Sequence, residues 1–197
     1  MDEYAWLAWT PEHLSQRLQH LARPWCVVGG WALDLWHGQQ TREHSDLEFT
    51  VLREDFPLFR QTLSELKFYT VKNGAFECLP SHVLPGDDIF QVWGFDTEAN
   101  AWRVDVMLEA GSAQSWVYKR DTSIVYPRAE MVAHSASGIP YLRPAATLLF
   151  KAKNTRPKDQ GDFTRALPKL SGEDRQWLVD HLQRLHPQHE WIADLTH

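Results

Sequence analysis

The most constraining feature of this chain is one spacing. An apolar run, Trp25-Cys26-Val27-Val28, is stopped by Gly29-Gly30, and an acidic, strand-like run from Asp46 to Leu52 follows after a helix-sized interval. The first run reads as a buried strand entering a tight turn. Trp31, Leu33, Leu35 and Trp36, ended by Gly38, then supply a short helix. In Asp46-Leu47-Glu48-Phe49-Thr50-Val51-Leu52, polar and apolar side chains alternate, so Asp46, Glu48 and Thr50 are expected on one face of a half-buried strand. Strand, glycine turn, helix and acidic strand together point to an α/β fold.

That arrangement has a chemical consequence. Two carboxylates side by side repel, and in a cleft water screens them incompletely. A hard divalent cation resolves the conflict, and Mg²⁺ takes one or two protein carboxylates while phosphate oxygens and water complete its octahedron. The Gly29-Gly30 turn offers bare backbone N–H groups and the positive end of a helix dipole for a phosphate chain. A third alternating run, Arg103 to Glu109, carries Asp105, which joins the pair if its strand lies beside theirs. Asp87, Asp88 and Glu109 are rivals for that place, Glu109 the weakest because it ends its strand.

Around this nucleus the chain reads as mixed structure followed by helices. Thr10-Pro11 marks a helix start, with Leu14, Leu18 and Leu21 at helical spacing, and the helix is expected to reach Ala22. A helix over Arg53–Leu66 and strands near residues 67–71, 75–79, 89–93 and 102–108 follow, with Asn73-Gly74 and Pro85-Gly86 as tight turns. Shorter strand pieces are read at 116–118, 131–134 and 139–142. From Arg143 the character is helical, with a break at Asn154–Pro157, a helix over 158–167, and another from Ser171 to Leu185 opened by Ser171 as N-cap.

With 197 residues and 43% hydrophobic side chains the chain can bury a sizeable core, as one domain or a domain with a helical appendage. Its formal net charge of −6 lacks the footprint of a dedicated nucleic-acid binder. The sign is uneven: residues 1–142 hold 11 basic and 19 acidic side chains, and residues 143–197 hold 9 and 7, so the last part is mildly positive. Two cysteines, Cys26 and Cys78, build neither a disulfide framework nor a cysteine zinc site. No stretch has the length of a membrane span and the N-terminus lacks signal-peptide character, so a cytoplasmic location with no membrane partner is expected.

Each candidate also has an ordinary reading. Gly-Gly alone is usually a turn, and only the acidic pair after it raises the functional reading. Arg42 is equally suited to an ion pair with Glu43 or Asp46, and His44 to a hydrogen bond that orients the turn. His181, His186 and His189 lack metal-ligand spacing and read as surface residues. Trp25, Trp31, Trp36 and Trp177 read as core, Cys26 as a small buried hydrophobe, and Trp93, Trp102 and Trp116 as core or as walls of a base or acceptor pocket.

The string GGWALDLWHGQQTREHSDLEF resembles the signature of nucleotidyltransferases, a GG or GS turn followed by two carboxylates one apolar residue apart. It is most similar to the aminoglycoside and lincosamide nucleotidyltransferases, and LRPAATLLFKAKNTRPKDQGDF resembles their C-terminal helices. The resemblance implies a nucleotidyltransferase fold, a small mixed sheet flanked by helices, with a catalytic domain over residues 1–142 and a helical segment, 143–197, closing the cleft. It further implies transfer of a nucleoside monophosphate, AMP from ATP, to the hydroxyl of a small molecule such as an aminoglycoside- or lincosamide-like antibiotic, with pyrophosphate released. Carried onto this sequence, Asp46, Glu48 and Asp105 hold two Mg²⁺ ions and are catalytic, Asp105 as the proton acceptor. Gly29, Gly30, Arg42, His44 and Lys151 contact the nucleotide. Glu48 stands where many members have Asp. A protein or RNA acceptor, and a silent nucleotide-binding module, are the competing readings; an intact carboxylate set argues against the last.

Overall fold

A computed structural model describes residues 2–196. Eight strands form one sheet. The first helix, α1 (Pro11–Leu18), is capped by Thr10, whose side chain accepts the His13 N–H, and it leads to β1 (Trp25–Val27). The next elements are α2 (Gly29–His37), β2 (Glu48–Leu52), α3 (Phe56–Thr62), β3 (Leu66–Lys72), β4 (Ala75–Cys78), β5 (Gln91–Asp96) and β6 (Ala101–Glu109). After a small hairpin, β7 (Ser115–Val117) and β8 (Val125–Pro127), come α4 (Arg128–Met131), β9 (Val132–His134) and β10 (Pro140–Leu142). Four helices finish the described chain: α5 (Pro144–Ala152), α6 (Pro157–Ala166), α7 (Gly172–Leu185) and α8 (Trp191–Thr196).

The sheet order is β4-β3-β5-β6-β2-β1-β10-β9, with β2 parallel to β6 and β1 parallel to β10. Strand periodicity divides the side chains between its two faces. Phe49 and Val51 of β2, Val92 of β5 and Val104, Val106 and Leu108 of β6 join Leu14, Leu18, Phe56 and Phe59 of α1 and α3 in one core. Cys26 and Leu142 turn to the opposite face, where Leu148, Leu149, Phe163, Leu178, Leu182 and Trp191 of the C-terminal helices form a second core. The helices after Arg143 therefore lie on the face that also carries the polar positions of β2 and β6.

Several elements differ from the sequence reading. α1 stops at Leu18 because Leu21 N–H bonds back to Leu18 O in a turn. The expected helix over Arg53–Leu66 shortens to a 3₁₀ turn and α3, since Leu66 is recruited as the first residue of β3 against Asp96. α2 begins at Gly29 rather than at Trp31, and ends where Gly38 takes φ +75°. α8 and the small hairpin strand β8 were not read from the sequence. The turn at Asn73-Gly74 was: both residues take positive φ, as a tight β3–β4 hairpin requires.

Candidate active site

Cross-strand register assembles the acidic site. Glu48 of β2 pairs with Asp105 of β6, and Asp105 pairs on its other side with Trp93 of β5. Directly opposed residues share a face, so Trp93, Asp105 and Glu48 form one row across three strands. Asp46 departs from expectation: β2 begins at Glu48, and Asp46 lies in the loop just before it, so strand alternation does not fix its direction. Its charge nonetheless bears on both Glu48 and Asp105. The rivals lie outside the row: Glu109 is ion-paired with Arg128, exposed Asp88 pairs with Lys72, and Asp87 is exposed in the turn before β5.

Asp105 and Glu48 are short of positive charge. Burial and then the Glu48 charge hold the Asp105 carboxyl well above the ordinary range, against the Gln91 amide, which donates to Oδ2 at 2.5 Å, and the nearby Trp93 indole. Burial and the Asp46 charge raise Glu48 as well, with Lys151, Lys158 and Arg156 only partly offsetting them. Oδ1 of Asp105 is buried with no hydrogen-bond partner. A buried, unpartnered carboxylate oxygen within a repelling acid row fits a hard cation. Among the described residues no three His, Cys, Asp or Glu side chains are placed to hold a metal ion together, so Asp46, Glu48 and Asp105 do not stand as a ready-made ligand set, and an ion there would take most of its shell from phosphate and water.

The glycines are required for different reasons. Gly29 has φ +66°, which side-chain-bearing residues rarely adopt, and a Cβ there would collide with the Glu48 carboxylate. A Cβ at Gly30 would collide with the Arg42 guanidinium and the His44 ring. The turn thus brings backbone N–H groups at the start of α2 against the acidic row, with Val28 N–H bonded to Glu48 O at 2.9 Å. His44 Nε2 meets the buried Asp34 carboxylate at 2.5 Å while its ring stacks on Trp31, with centroids 4.3 Å apart. Burial lowers the His44 pKa in spite of Asp34. Asp34 was missed in the sequence, though an acid inside the otherwise apolar helix GGWALDLWH was a legible signal.

Arg42 does not pair with Glu43 or Asp46 through its side chains. Its guanidinium donates to both oxygens of Asp162 on α6, at 2.9 and 3.1 Å, and to the Glu43 carbonyl. Lys151 is held 2.9 Å from both Asp159 and Asp162 and is nearly buried. Arg156 adds a bond to Asp159 and Arg165 one to Asp162. This network draws the loop before β2, α5 and α6 together at the edge of the acidic row. Asp159 and Asp162 were not singled out beforehand. His181 corrects the surface reading: it is buried, with Nδ1 bonded to Trp177 O and Nε2 3.2 Å from the Tyr126 hydroxyl. Trp102 and Trp116 are core residues, and Cys26 is fully buried.

The fold is that of nucleotidyltransferases of known structure. Crystal structures of the lincosamide antibiotic adenylyltransferase LnuA, lincomycin-bound, and of ANT(2'')-Ia in complex with adenylyl-2''-tobramycin are both 15% identical to the chain. The first aligns with TM-score 0.54 over 78% of this chain and 91% of its own, the second with TM-score 0.56 over 88% and 95%. The solution structure of the antibiotic-resistance factor ANT(2'')-Ia is 14% identical, with TM-score 0.54 over 91% of this chain and 96% of its own. The family profile described as aminoglycoside-2''-adenylyltransferase matches residues 12–78, the segment carrying Gly29, Gly30, Asp46 and Glu48. No curated protein sequence matches the chain.

Proposed function

We propose that the chain is a cytoplasmic, Mg²⁺-dependent nucleotidyltransferase that moves AMP from ATP to a hydroxyl of a small molecule and releases pyrophosphate. The observation that carries this reading is the register of Glu48 with Asp105 beside the Gly29-Gly30 turn. Asp46, Glu48 and Asp105 would hold the metal, whose chemistry when bound is to neutralise phosphate charge and polarise the reacting oxygens. The start of α2 binds the phosphate chain through its N–H groups. Asp105 accepts the proton of the acceptor hydroxyl as the new O–P bond forms and the bond to pyrophosphate breaks. Asp34 orients His44 and Asp162 orients Arg42, which together shape the wall facing the glycine turn. Lys151 adds positive charge from α5 at the phosphate side, and the segment from Arg143 onward closes the cleft.

The family name of the profile and the antibiotics in the related structures make aminoglycosides and lincosamides the first acceptors to try. Incubation with Mg²⁺, each α-labelled NTP and a panel of both classes, together with RNA and protein, tests the reading. Label from ATP is expected on a small molecule and is expected to fall by roughly 10²-fold or more in Asp46→Ala. Equal transfer by Asp46→Ala would contradict the metal site, and label on RNA or protein would replace the acceptor class.

A further inference from the structure

Asp105 is enclosed and already held. The residue is only 3% exposed, its Oδ1 is buried without a hydrogen-bond partner, and its Oδ2 receives the Gln91 side-chain amide at 2.5 Å. The Trp93 N–H lies beside this carboxylate but is buried and completes no hydrogen bond. Among the described residues, the Gln91 amide is thus the one group that bonds to the Asp105 side chain.

The sheet presents this amide deliberately. Gln91 opens β5, where it pairs with Met107, and two residues further on Trp93 pairs with Asp105. Residues two apart on a strand share a face, so Gln91 stands diagonal to Asp105 on the face of the acidic row. Its backbone is fixed from two sides. Leu108 N–H bonds to Phe90 O at 2.9 Å, and the Arg53 guanidinium donates to the carbonyls of Gly86, Asp87 and Ile89. The strand that begins at Glu48 is therefore followed directly by the residue that anchors the approach to Gln91.

At Asp105 an amide and a cation do the same electrostatic work, because each supplies positive potential to a desolvated carboxylate beside Glu48. Two groups that compensate one charge compete for it. The layout of the row agrees: Asp105 is tied across to β5, Asp46 lies in the loop before β2, and no three acids among the described residues are placed to hold a metal together. We propose that Gln91 is a positioning residue that restrains Asp105 in the cation-free enzyme, and that a divalent cation must take the carboxylate from the amide. Resting on the nucleotidyl-transfer reading, the restraint sets an order. Asp105 leaves the amide once nucleotide phosphates help to seat the cation.

Titration of the full chain with Mn²⁺, followed by water-proton relaxation, tests the restraint. Gln91→Met keeps an unbranched side chain of similar length but removes the donor. It is expected to bind Mn²⁺ about tenfold more tightly than wild type, because a hydrogen bond to a charged group no longer has to be broken first. Gln91→Asn, with its amide on a shorter arm, is expected to move in the same direction and keeps the test open if Gln91→Met folds poorly. In an Asp105→Asn background the gain is expected to vanish, which a general loosening of β5 would not produce. Unchanged or weaker Mn²⁺ binding in both Gln91 variants, or a gain that survives Asp105→Asn, would overturn the restraint while leaving the nucleotidyl-transfer reading in place. No Mn²⁺ binding by wild type or by either Gln91 variant would count against the metal site itself, and so against both.

Discussion

Two groups of desolvated acids sit on the same side of the sheet and behave in opposite ways. Asp159 and Asp162 on α6 are surrounded by Arg42, Lys151, Arg156 and Arg165. Burial pushes both carboxyls up, yet these cations prevail and hold both below the ordinary range. Asp105 is buried and Glu48 half-buried without such partners, and desolvation and mutual repulsion hold both above it. The same residue type in the same protein is thus scaffold where its charge is compensated and a candidate site where it is not. The difference is a matter of neighbours, because both groups are desolvated.

The comparison breaks most visibly where the compensated group is disturbed. Asp162→Asn removes the shared partner of Arg42 and Lys151 and should destabilise the protein by about 3 kcal/mol, read by denaturant unfolding; an unchanged midpoint would show that the network contributes nothing. Gly30→Ala is next. Its Cβ must displace Arg42 and His44 together, at a cost of about 1–3 kcal/mol, and the effect should shrink in the Arg42→Ala background if the collision is its cause. Acid pH supplies the smallest effect. A carboxyl with a depressed folded-state pKa stabilises above its unfolded value, near 4, and that stability is lost as pH falls toward the folded value. Melting temperatures should therefore drop below about pH 4, and Asp159→Asn should lose part of that dependence.

How much of this was legible follows from which signals are local. Gly29-Gly30, Asp46-Leu47-Glu48 and the alternation around Asp105 lie within short windows, and β1, α2, β2 and β6 followed from them to within a few residues. The fate of Leu66 was not local: it reads as the end of a helix and becomes a strand because β5 is available to pair with it. Arg42 likewise had two acids beside it in sequence, yet its carboxylate partner is 120 residues away on α6. The Gln91 amide on Asp105 and the burial of His181 beneath Tyr126 depend on register and packing, which spacing does not encode. Trp93 was open between core and pocket until its pairing with Asp105 placed it at the site.

The uncompensated charge of the acidic row is the claim on which the rest depends, and thermal melting tests it most directly. In EDTA, Asp105→Asn is expected to melt higher than wild type because it relieves repulsion with Glu48, whereas Asp159→Asn is expected to melt lower because it strips partners from Lys151 and Arg156. Added Mg²⁺ with ATP should raise the melting temperature of wild type and of Asp159→Asn but not that of Asp105→Asn. A lower melting temperature for both variants in EDTA, with equal stabilisation of all three proteins by Mg²⁺ and ATP, would contradict the account.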